Sequence, residues 1–139
     1  MTDRDPPRTT ADLLHDAAAR GVRYIAELPR RSVAPTAEAI RGLSAWDIPL
    51  PDGPTDPAET LRLLDEVGTP ATMAIDGPRF FGFVMGGSLP VTVAASWLAT
   101  AWDQNTGLHT VTPATGELER ITLGWLVDLL GLPAGTAAG

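Results

Sequence analysis

The sequence predicts a mainly α protein, and three observations carry that prediction. Apolar residues recur at three- and four-residue spacing in several separate stretches. Those stretches open on Thr, Asp or Pro and close on Pro or Gly, the ordinary start and stop chemistry of helices. Outside residues 79–85, no segment alternates polar and apolar residues as a half-buried strand would.

Residues 1–8 are polar and proline-rich and are expected to form a disordered lead-in. Thr9 or Thr10 caps a helix whose stripe Leu14, Ala18, Val22 and Ile25 runs to Leu28, with Pro29 ending it. That stripe has to be covered by a later element or by a second chain. Pro35 starts a short helix reaching about Leu43. Prolines 49, 51 and 54 then forbid a helix interior and make residues 48–55 a semi-rigid extended linker. Asp56, Pro57 and Glu59 form a well-defined helix start, Leu61, Leu64 and Val67 give that helix an apolar side, and Gly68 offers a stop. Thr69-Pro70 begins a further short helical turn.

Arg79 to Pro90 is the least ordinary stretch. It holds all three phenylalanines, Phe80, Phe81 and Phe83, interleaved with glycines. The pattern suggests an extended segment lying close against core, a partner or a ligand. From Ser88, read as a cap, a helix runs to Trp102 with no charge before Asp103. A helix apolar on every side is expected to be buried on every side, within a domain larger than this chain shows. Asp103, Gln104 and Asn105 end it with turn chemistry. Thr112-Pro113 opens the last helix, which carries Leu118, Ile121, Trp125 and Leu129 and stops at Gly131 and Pro133. Residues 134–139 are expected to be a flexible tail.

Composition excludes several functions. At 139 residues, 44% apolar and 19% charged, the chain has the makings of one soluble globular domain. The 13 prolines and 14 glycines imply many turns. A formal charge of -7 without a basic patch argues against nucleic acid. No apolar run is long enough to span a membrane or to serve as a signal peptide, and a cytoplasmic location is expected. The absence of cysteine removes disulfides and thiolate chemistry, and all ten basic residues are arginine.

Catalytic patterns are weak. His15 and His109 have no metal-ligand spacing between them. Ser88 lacks the Gly-x-Ser-x-Gly setting of a hydrolase nucleophile and reads better as a helix cap. Gly86-Gly87 precedes a helix but matches neither the Walker nor the dinucleotide pattern. Glu117 and Glu119 point to different faces of one helix, so they make no acid–base pair. Read on its own, His109 is a structural histidine.

One ordered series carries more information than any single residue. It consists of Pro78-Arg79-Phe80-Phe81-Gly82-Phe83, Gly86-Gly87-Ser88-Leu89-Pro90, Trp97-Leu98-Ala99, Thr112-Pro113-Ala114 with Leu118-Glu119, and Trp125 to Pro133. Taken together it resembles the N-terminal part of the group II pyridoxal-phosphate-dependent decarboxylases, which act on aromatic amino acids, histidine or glutamate. The match covers about residues 76–133, and the helix, linker, helix order of residues 10–70 follows the family more loosely.

The resemblance implies an α/β homodimer of the aspartate-aminotransferase fold type. Residues 9–76 would be the helical dimerisation region and 77–133 the start of the cofactor domain. By position, Phe81, Phe83, Val84, Met85, Gly86 and His109 resemble the substrate-pocket residues of that family. Gly77 stands where the family commonly has histidine, and Phe83 to Pro90 is slightly short. The phosphate loop and the Schiff-base lysine would follow residue 139. With no lysine, this chain is expected to hold no cofactor alone and to act with a second copy or a C-terminal part. A helical dimerisation or binding module is the alternative.

Overall fold

A computed structural model describes residues 8–133 and 135–137. Residues 1–7 of the expected lead-in, and 134, 138 and 139 of the expected tail, lie outside that description. Among the described residues every regular element is helical, as the sequence predicts. In order they are α1 (Thr10–Glu27), α2 (Ala37–Gly42) with a 3-10 turn at Leu43–Trp46, α3 (Pro57–Leu63) running into a π turn at Leu64–Gly68, α4 (Thr69–Ala71), α5 (Pro90–Trp102) and α6 (Pro113–Leu129). The chain forms two compact units, one through Gly87 and one from Ser88.

In the first unit, α1 begins with a reciprocal cap. The Thr9 hydroxyl accepts from the Asp12 N–H at 3.2 Å while the Asp12 carboxylate accepts from the Thr9 N–H at 2.9 Å. The face that α1 turns inward matches the expected stripe only at Ala18, half-buried, and at Leu28. Leu13, Ala17, Gly21 and Tyr24 are half-buried and lead to Leu28, which is buried. Leu14, Val22 and Ile25 are 56%, 64% and 49% exposed. Apolar residues occupy two adjacent stripes of this helix, so periodicity alone does not choose between them.

Thr36 caps α2, its hydroxyl accepting from the Ala39 N–H at 3.1 Å, and Pro35 precedes the cap instead of opening the helix. The proline linker has no regular structure, as expected. Asp56 caps α3 through the Ala58 N–H at 2.9 Å, with Pro57 in the first turn. Glu59 pairs with Arg62 at 2.7 Å. Gly68 does not stop the helix. Its φ of -76° is right-handed, and the chain passes through the π turn directly into α4. What requires glycine there is Trp46: a Cβ at position 68 would stand 2.9 Å from Trp46 Cζ2, and the same indole donates to the Leu63 carbonyl at 3.4 Å.

The second unit contains α5 and α6. Leu89, not Ser88, occupies the cap position of α5, with Pro90 at the first helical position. No residue of α5 is buried, although the sequence reading expects burial all round. Its polar residues are turned back on the helix itself. The hydroxyls of Thr92, Ser96 and Thr100 donate to the carbonyls of Leu89, Thr92 and Ser96 at 2.7, 2.9 and 2.9 Å. Asp103 ends the helix in the left-handed region, φ 49°.

Thr112 precedes α6 but its side chain does not cap it. Buried to 4% exposure, its hydroxyl is shared between the carbonyls of Asn105, at 2.7 Å, and Leu108, at 3.0 Å, which closes the loop before the helix. The helix stops as expected. Gly131 has φ 62° and donates to the Asp128 carbonyl, while Leu132 donates to that of Val127, both at 3.0 Å; this is the paired pattern of a Schellman cap.

These contacts set the sign of one substitution. Glycine to alanine in a helical conformation ordinarily stabilises by about 0.5–1 kcal/mol, but overpacking against the indole costs about 1–3 kcal/mol. Gly68→Ala is therefore expected to lower stability in the native background and to raise it in a Trp46→Ala background. Urea melts of the four proteins check this.

Candidate functional site

The loop carrying five of the six candidate residues is built by successive turns. Ala74, 1% exposed, donates to the Val33 carbonyl at 2.9 Å, Gly77 to Ala74 at 3.1 Å and Phe80 to Gly77 at 3.2 Å. Arg79 donates through its guanidinium to the Arg31 carbonyl. At the other end, Gly87 lies so close to Asp76 that a Cβ would overlap the carboxylate. Residues 76 and 87 thus meet at the base of the loop.

Between those ends the chain reverses where the sequence reading expects an extended segment. Met85 donates to the Gly82 carbonyl at 3.3 Å, and Phe83 and Val84 between them have φ of 57° and 55°. Phe81, Phe83 and Val84 are 92%, 78% and 106% exposed. Met85 and Gly86 are exposed as well. The loop therefore presents an apolar tip whose side chains are half or more exposed among the described residues. Gly77 has its own steric reason: a Cβ there would stand 3.1 Å from the Ala74 carbonyl oxygen and 3.4 Å from that of Leu28. The local backbone leaves little room for a side chain at this position.

His109, the sixth candidate, belongs to the second unit. Its ring lies on Gly116 of α6, where a Cβ would come within 2.6 Å of His109 Cδ2. Glu117 follows that glycine, and its carboxyl is held below the usual range first by Arg120 and to a smaller extent by His109.

A second feature lies in the first unit, where sequence reasoning placed nothing. An open cleft of about 710 Å³ is lined by Tyr24, Leu43, Trp46, Leu61 and Leu64, with Arg20 and Asp65 among its polar groups. Asp65 is 12% exposed at its side chain and accepts from Thr69 Oγ1 at 2.7 Å, from Arg20 Nη1 at 2.8 Å and from Arg23. The Thr69 hydroxyl and then the two guanidinium groups hold its carboxyl below the usual range. Arg31 stacks on the Tyr24 ring at 4.8 Å and donates to the Thr69 carbonyl at 2.6 Å. The available signal was the Asp65/Thr69 pair four residues apart, which the apparent stop at Gly68 concealed.

Among the described residues no group of three or more His, Asp or Glu could hold a metal ion, and no helix is long and apolar enough to cross a membrane. No protein-family model matches the chain, and no curated protein matches it. The arrangement offers shaped apolar surfaces and, beside the cleft, the ion cluster gathered on Asp65.

The lowered carboxyl of Asp65 fixes a pH dependence. The unfolded-state value is near 3.9, so the ionised group favours the fold above about pH 4 and the contribution fades as pH falls through the lower folded value. Asp65→Asn is expected to cost about 1.5–3 kcal/mol at pH 7, the range of hydrogen bonds to charged groups. It should cost markedly less at pH 3. Denaturant titrations at the two pH values give the comparison.

Proposed function

We propose that this chain is the N-terminal segment of a pyridoxal-phosphate-dependent amino-acid decarboxylase, a carbon–carbon lyase. In that assembly it supplies dimer contacts and one wall of the substrate pocket. The observation that carries the reading is α5, which is apolar on every side, satisfies its own hydroxyls and has no buried residue in this chain. Such a helix is ready for cover that lies elsewhere in an assembly. The ordered motif series supplies the family, and the exposed tip at Phe81, Phe83, Val84 and Met85 is the wall.

The residues of this chain do not by themselves fit the cofactor. There is no lysine amine to hold it, and the one cation of the loop, Arg79, is taken by the Arg31 carbonyl. Catalysis would therefore reside in a partner polypeptide, and this chain would position, cover and exclude water. Co-production with a downstream polypeptide bearing the lysine should restore a bound-cofactor absorption band and amine formation. Recovery of a soluble complex that shows neither would defeat the proposal.

A second reading, a helical dimerisation or binding module without catalysis, is favoured by the exposed stripe Leu14, Val22 and Ile25 on a well-capped α1. Both readings place that stripe in a contact between copies. Val22→Glu is expected to lower self-association at least tenfold and to leave helix content unchanged, as sedimentation and circular dichroism would measure. The readings separate on dye binding: strong binding of a hydrophobic dye to the isolated chain marks an uncovered α5 and favours the segment. A cooperatively melting oligomer that binds little dye favours the module.

A further inference from the structure

The turn at Gly82–Met85 contradicts its own sequence. Phe-Val is a pair that prefers extended backbone, yet both residues stand in the left-handed region, φ 57° and 55°, where a β-branched side chain is strained. Strain of this kind persists where neighbouring structure enforces it. Here the side chains enforce nothing: Phe83 and Val84 are 78% and 106% exposed. Within the turn the constraint is one 3.3 Å hydrogen bond, from the Met85 N–H to the Gly82 carbonyl. The loop base, by contrast, is fixed by the close approach of Asp76 and Gly87 and by Arg79 on the Arg31 carbonyl.

We propose that Gly82–Met85 is a two-state element on a fixed base, exchanging between the observed turn and an extended form. In the extended form alternate residues share a face, so Phe81, Phe83 and Met85 line up in one row with Val84 opposite. In the turn that row is broken. An apolar surface that covers the row binds the extended form better and draws the equilibrium to it, since a ligand shifts a population by its differential affinity. The assignment of that row as a substrate-pocket wall rests on the decarboxylase reading above. The two-state equilibrium does not.

The experiment uses the whole 139-residue chain, labelled at its methionine methyls, of which there are three, Met1, Met73 and Met85. Val84→Gly removes the left-handed penalty and is expected to raise the turn-to-extended ratio on the order of tenfold. Val84→Pro cannot adopt a positive φ and also drives Phe83 to extended backbone, so it fixes the other state. The expected result is a wild-type Met85 methyl with relaxation dispersion and a shift between those of the two variants. A wild-type shift coincident with Val84→Gly and free of dispersion overturns the proposal, as does one coincident with Val84→Pro. If Val84→Pro does not fold, the comparison of wild type with Val84→Gly still decides: identical shifts without dispersion refute the exchange. Failure here leaves the decarboxylase reading standing, and failure of complementation leaves this equilibrium standing.

Discussion

Among the described residues of the first unit only Leu28, Ala58 and Ala74 are buried apolar side chains, so a carboxylate takes on part of the organising role of a core. Asp65 sits at the start of the π turn and gathers Arg20 and Arg23 from α1 and Thr69 from α4. The π turn matters to this arrangement because it carries the chain past Gly68 without a break, keeping Asp65 and Thr69 within reach of each other. Arg31 then fastens the Thr69 carbonyl to the Tyr24 ring, and Arg79 ties the Phe loop to the Arg31 carbonyl. A route of charge-assisted bonds thus runs from α1 to the candidate wall. Such bonds are stronger than neutral ones but depend on every partner being present.

The second unit is organised without ion pairs between its helices. Thr112 closes the 105–112 loop with its buried hydroxyl, His109 rests on Gly116, and Gly131 ends α6. These are local devices that shape termini and loops, while the faces of α5 and α6 stay exposed, including Trp97, Trp102 and Trp125. Three of the four tryptophans of the protein therefore keep half or more of their surface, or close to it, exposed in this unit. Exposed large apolar side chains gathered on two helices are what interaction surfaces carry.

How much was legible in the sequence follows from the range of the forces involved. The caps at Thr9 and Asp56 and the stop at Gly131 depend on neighbours within a few residues, and the structure has each of them. The mainly helical class was legible for the same reason. Which stripe of α1 turns inward was not, because Leu13, Ala17 and Tyr24 compete with Leu14, Val22 and Ile25, and contacts distant in sequence decide. Gly68 reads as a stop until Trp46, 22 positions earlier, is seen to fill the space its side chain would need. The candidate site was legible as an apolar glycine-rich segment. Its reversal at Phe83 and Val84 ran against local preference and had no signal.

The hydroxyl ladder of α5 has a consequence for whatever comes to cover that helix. Because Thr92, Ser96 and Thr100 are satisfied by carbonyls of their own helix, those hydroxyls demand no matching acceptor from outside. The polar groups left to index the rotation of the helix about its axis are the indole N–H donors of Trp97 and Trp102. The rest of the angular setting comes from shape, from where those indoles find room between smaller neighbours such as Ala94, Ala95, Ala99 and Ala101. Two bulky wedges among alanines act as a mechanical key, and because they stand five residues and so about 140° apart around the axis, cover has to reach two sides of the helix to read it.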